Sequence, residues 1–146
     1  MSPSQIQINQ TSGPEDFTGM PGANSFVTIL LPGGGTETIR YDAFVALLFK
    51  QQAFPLMHLH AALGVCGEAG ELADAIKREF IYNKPANREN IVEELGDLRF
   101  YIQAAMSLYN ISEQEVLQQN ANKLCVRYKS LRYSDYAAIS REDKAE

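Results

Sequence analysis

Beyond residue 40, apolar positions recur at spacings of three and four, the period of a helix with one face turned to a core. Asp42 caps the first such stretch, which runs to about residue 54 with Phe44, Leu47 and Leu48 on one face, and Pro55 marks its end or a bend. A second extends from about Leu56 to Tyr82, where Asn83, Pro85 and Asn87 break the pattern. A third covers about Arg88 to Tyr109. Ser112 and Glu115 form the S-x-x-E capping box of a fourth, which continues to about Ser130. Short connections between amphipathic helices make neighbours antiparallel, so the pattern predicts an all-α chain: an antiparallel helix bundle of four main helices. The tail after Leu131 mixes aromatic and charged residues and is expected to wrap over the bundle.

Residues 1–40 read differently. They hold ten of the sixteen Gly and Pro residues of the chain but only four charged ones, Glu15, Asp16, Glu37 and Arg40. Residues 1–24 are expected to form a flexible arm. The following FVTILL, PGGG and TETIRY put β-rich runs on both sides of a turn, which predicts a hairpin or an extended docking segment. The expected division is an N-terminal arm with its hairpin over 1–40 and a helical domain over 41–146.

With 146 residues, 45% of them apolar and 21% charged, the chain has the size and composition of one globular domain. Its net charge of -5 argues against clamping a polymeric nucleic acid, which calls for a basic surface. The longest apolar run, Ala43 to Phe49, falls far short of the roughly 18 residues that cross a bilayer, so no membrane role is expected. The opening MSPSQIQINQ has neither the basic start nor the apolar stretch of a secretory signal. Two cysteines, Cys66 and Cys125, do not suggest a disulfide framework, and a cytoplasmic location is the expectation.

The acids change the picture. At 100° per residue, Glu68 falls at the edge of the apolar stripe of the second helix, with Glu71 one step further round. Glu94 projects within the apolar face of the third helix, flanked by Ile91 and Leu98, and Asp97 is close by. Carboxylates facing a core are costly unless compensated, and gathered carboxylates repel one another. The spacings E-x-x-E and E-x-x-D keep each pair on adjacent turns, so antiparallel neighbours would bring all four into an oxygen cage. Such ligands suit Mg²⁺ or Mn²⁺. Glu79 and Glu93 read as solvated, and Asp74 as an acid able to support the ligands from behind.

The fourth helix supplies the opposite charge. Asn120, Lys123 and Arg127 line one face bordering the stripe of Val116, Leu117 and Leu124, and Lys77 adds a cation from the second helix. His58 and His60 are expected to be structural or at the rim of a pocket, since the paired E-x-x-H motifs of a di-iron bundle are missing.

Three strings together, GEAGELADAIK (Gly67 to Lys77), EELGDLRFYI (Glu93 to Ile102) and N-x-x-K-L-x-x-R-Y (Asn120 to Tyr128), resemble the MazG-type nucleotide pyrophosphohydrolases of the all-α NTP pyrophosphatase superfamily. The resemblance covers roughly residues 56–135. It implies a helical bundle assembled as a homodimer or homotetramer that uses Mg²⁺ to hydrolyse a nucleoside triphosphate to monophosphate and pyrophosphate. On this resemblance Glu68, Glu71, Glu94 and Asp97 are the metal ligands and catalytic acids. Lys77, Lys123 and Arg127 are the basic residues, with Lys123 and Arg127 on the β- and γ-phosphates. Asn120 lies near the nucleotide, and Tyr101 stands where an aromatic contacts substrate. Glu71 is the carboxylate preferred for orienting or deprotonating the attacking water. Two other readings keep the fold: a phosphoribosyl-ATP pyrophosphohydrolase, and a non-catalytic metal- or nucleotide-binding module.

Overall fold

Phe26–Leu30 (β1) and Thr36–Arg40 (β2) pair antiparallel, with Phe26 opposite Arg40 and Val27 opposite Ile39, in the computed structural model, which describes residues 25–144. The arm expected over 1–24 lies outside the described residues. The turn between the strands holds Gly33, Gly34 and Gly35 at φ of 97°, 95° and 94°, a run of left-handed conformations that side-chain-bearing residues would adopt only with strain. Backbone bonds from Leu31 N–H to Gly35 O and from Gly34 N–H to Leu31 O, both 3.1 Å, close it.

The hairpin runs without a loop into Tyr41–Leu48 (α1), whose first N–H donates to Ser25 O at 2.8 Å. Arg40, not Asp42, occupies the cap position. Asp42 falls inside the first turn, where it accepts from the Arg40 guanidinium and from the Ala43 N–H. A carboxylate there still favours the positive helix end. Val27 is buried where the hairpin meets α1, and Val45 and Phe49 are buried on the inner side of that helix.

Helix α1 ends at Leu48, earlier than the apolar run suggests, because Phe49 turns to extended geometry. Pro55 then starts a helix instead of stopping one: it lies in the first turn of Phe54–Phe80 (α2), where a missing N–H costs no hydrogen bond. Arg88–Leu108 (α3) follows, capped by Asn87, whose side chain accepts from the Asn90 N–H at 3.1 Å. Glu113–Arg127 (α4) has the expected Ser112 cap, accepting from the Glu115 N–H at 3.1 Å. The tail forms a short helix, Asp135–Ser140 (α5), and a 3-10 turn, Glu142–Lys144. It packs back on α4, and its anchor is an ion pair: Arg127 Nε and Nη2 donate to the two oxygens of Asp143 at 2.6 and 2.7 Å.

Among the described residues the chain is thus all-α apart from its hairpin. Helices α2 and α3 make the most extensive pairing, and their direction is fixed by what meets what. Ala61 shares the core with Ala104, Gly64 lies against Tyr101, and Glu68 meets Asp97, so ascending α2 descends α3. The core gathers where α1 crosses this pair, around Val45, Phe49, Ala61 and Ala104, with Tyr41, Met57, Phe100 and Tyr101 against it. Helix α4 buries none of its residues in the single chain. Among the described residues no helix is long and apolar enough to cross a membrane.

Candidate metal centre and active site

One turn beyond the Gly64–Tyr101 contact, the same pairing brings acids face to face. Glu68 of α2 and Glu94 and Asp97 of α3 each offer a carboxylate oxygen, and these oxygens all lie within 4.8 Å of one another. Burial pushes the Glu68 carboxyl above its ordinary range, and the neighbouring charges of Asp97, Glu71 and Glu94 push it further. A hard-oxygen set at this separation fits a divalent cation such as Mg²⁺ or Mn²⁺. Glu71 stands beside the trio. It and Glu94 line a cleft of about 350 Å³ between the helices, together with Asp74, Arg78 and Asn90.

Comparison with known proteins places this geometry. Residues 57–131, just over half of the chain, match the family of the MazG nucleotide pyrophosphohydrolase domain. The chain belongs to that family. All the acids and bases singled out from the sequence, from Glu68 to Arg127, fall inside the matched MazG domain, whereas the hairpin and Asp143 fall outside it. A similar protein is the gene 37 protein of Mycobacterium phage L5, 31% identical over 70 residues that cover 44% of this chain and 60% of the phage protein. The chain therefore spans less than two thirds of that relative's length. No solved structure matches.

Within the MazG domain the remaining site candidates are placed unevenly. Lys77 is ion-paired with Asp74 and stands 5.6 Å over the Tyr82 ring. Arg78, which the sequence reading passed over, bonds the same Asp74 at 3.0 Å. These two cations hold the Asp74 carboxyl below its ordinary range, so it is already neutralised. Tyr101, one turn beyond Asp97, packs among Phe49, His60 and Phe100. Asn120 and Lys123 are exposed on α4, and Arg127 is committed to Asp143. Two clefts beside the acids are lined by α2, α3 and the turn between them, and no α4 base lines either.

Both histidines of the MazG domain sit in aromatic packing. His58 Nδ1 lies 2.8 Å from Phe54 O, and its ring meets Phe54 and Tyr109. His60 stacks on Phe49 with ring centroids 4.8 Å apart, and its Nδ1 is buried with no hydrogen-bond partner among the described residues.

The sequence reading also missed Asn90. Its side chain donates to Glu94 Oε1 at 2.6 Å, and the signal was available: an amide four residues before a core-facing acid on one helix.

Proposed function

We propose that this MazG-family chain is a divalent-metal-dependent nucleoside triphosphate pyrophosphohydrolase, taking an NTP or dNTP to the monophosphate and pyrophosphate with Mg²⁺ or Mn²⁺. The observation that carries this reading is the convergence of Glu68, Glu94 and Asp97 from two paired helices of a MazG domain. A cation bound there would supply a water of lowered pKa and charge to offset the phosphate oxygens.

The residues of the chain do the rest. Glu68, Glu94 and Asp97 would hold the ion. Glu71, exposed in the adjoining cleft and not tied into the trio, orients the attacking water and takes its proton. The water oxygen adds to the α-phosphorus, and the bond from that phosphorus to the α–β bridging oxygen breaks. Pyrophosphate leaves with the bridging electron pair. Lys77, Lys123 and Arg127 bind the phosphates, with Asn120 near the nucleotide and Tyr101 walling the site from the core side. Arg127 can exchange its bidentate carboxylate for phosphate oxygens, since the guanidinium fork suits both.

Self-association as a homodimer or homotetramer belongs to this reading. Leu59 and Leu63 on α2, Leu95 on α3 and Leu117 and Val126 on α4 are 49–61% exposed, a dispersed apolar surface that a second copy would cover.

The test is a panel of NTPs, dNTPs and phosphoribosyl-ATP, incubated with the purified chain and Mg²⁺ and assayed for monophosphate and pyrophosphate. Equimolar release of the two from a nucleoside triphosphate, abolished by chelator, is expected. Release of orthophosphate instead, preference for phosphoribosyl-ATP, or no turnover at all would overturn the assignment.

A further inference from the structure

A carboxylate that must meet a metal ion has to be held as well as gathered. Of the three clustered acids, Glu94 alone accepts a side-chain hydrogen bond among the described residues, from Asn90 Nδ2 to Oε1 at 2.6 Å. Asn90 is itself fixed. It lies in the first turn of α3, and its backbone N–H is held by the capping oxygen of Asn87 at 3.1 Å. The Asn87 bond uses the backbone N–H of Asn90 and the Glu94 bond its side-chain amide, so the two are separate contacts at the start of α3.

The chemistry of the donor matters. An amide satisfies one lone pair of Glu94 and leaves its negative charge intact. The contrast is Asp74 on the facing helix, whose carboxylate is taken up by Lys77 and Arg78 and has its charge cancelled. A lysine or arginine in place of Asn90 would do the same to Glu94 and compete with a cation for it. Carboxylates that ligate metal ions are commonly held by hydrogen-bonding partners standing behind them.

We propose that Asn90 is a positioning residue for the divalent cation held by Glu68, Glu94 and Asp97, its amide fixing the orientation in which Glu94 presents its carboxylate. The role rests on the metal reading above. It also assigns Asn87 a separate task, starting the helix, which does not reach the ion.

The experiment uses Mn²⁺ alone, without nucleotide. Chelator-stripped full-length protein is titrated with Mn²⁺ and the free ion followed by its electron paramagnetic resonance signal. Parallel thermal melts are run in chelator. Asn90→Ala and the near-isosteric Asn90→Leu are expected to bind Mn²⁺ about 10- to 100-fold more weakly than the parent while melting close to it in chelator. Asn87→Ala should show the reverse: a lower melt from the lost cap and parental Mn²⁺ affinity. Parental affinity in both Asn90 variants would overturn the proposal and leave the metal site standing, as would a loss of affinity that merely follows a lower melt. A parent that binds no Mn²⁺ would overturn the metal site and the role of Asn90 together.

Discussion

The ring of Tyr101 occupies the space into which a side chain on Gly64 would project. Gly64 lies one turn before Glu68 and Tyr101 one turn after Asp97, so this contact sets the separation of α2 and α3 immediately beside the acids. A glycine inside a helix is otherwise unfavourable by about 1 kcal/mol relative to alanine. Its use here is spatial.

Gly64→Ala should therefore destabilise the fold despite its better helix propensity. Displacing Tyr101 from its packing with Phe49 and Phe100 is expected to cost about 1–3 kcal/mol, the range for overpacking a filled core. Urea melts of Gly64→Ala, Tyr101→Ala and the double variant check it. The two costs should be less than additive, because the smaller partner removes the clash.

Glu94→Gln should abolish turnover while leaving the metal-free protein at least as stable as the parent. Neutralising Glu94 removes one of the charges that raise Glu68, and the amide oxygen can still accept from Asn90. Glu68, with its folded pKa above the unfolded one, takes up a proton on folding. The contribution of Glu68 to metal-free stability should accordingly be full below the usual glutamate range and be lost as pH rises through the raised value. With Mg²⁺ at a hundredfold excess over Kd the parent should gain about 2.7 kcal/mol, and the variant less. Melts in chelator and in Mg²⁺ decide it, and a variant far less stable in chelator would make Glu94 a structural residue.

Much of this was legible in the chain itself. The third helix was expected over Arg88 to Tyr109 and runs Arg88–Leu108, because Asn83, Pro85 and Asn87 are strong breakers and Asn87 is a good cap. Two acid pairs on antiparallel helices predict that Glu68, Glu71, Glu94 and Asp97 converge, and Glu68, Glu94 and Asp97 do meet, with Glu71 beside them. What escaped has physical reasons. The run through Phe49 contains no breaker, so the end of α1 could not be seen. Glu71 lies about 60° round the helix from Glu68, enough to turn it into the neighbouring cleft. The partner of Arg127 is an aspartate in another element, and no helical period signals such a pair.

That pair makes a prediction of opposite sign in pH. Arg127 holds the Asp143 carboxyl down at about 2, so its contribution is full above the ordinary value of 3.8 and is lost as pH falls from there towards about 2. The protection of amides in α5 and the 3-10 turn, measured against their intrinsic exchange rates, should fall through this window in the parent. In Asp143→Asn that protection should be low already at neutral pH and show little further change.

The purified chain should run as an oligomer. Light scattering at micromolar concentration is expected to give a multiple of the 16.3 kDa chain mass. Leu63→Glu or Leu117→Glu, charges placed on exposed apolar positions, should shift the population towards the single chain without loss of helical signal. A parent that scatters as one chain would remove oligomerisation from the proposed function.

Every buried residue of α2 and α3, Ala61 on one and Gln103, Ala104 and Met106 on the other, lies at the end gripped by α1. The pair is held like tongs at the pivot, and the acids stand along the jaws. The pivot is packed, whereas the jaws carry their carboxylates among apolar residues that are only half-buried, such as Leu72, Ile91 and Leu98. The packed end and the Gly64–Tyr101 contact thus set how the two acidic ends face one another, and the carboxylates inherit their spacing from packing that lies outside them.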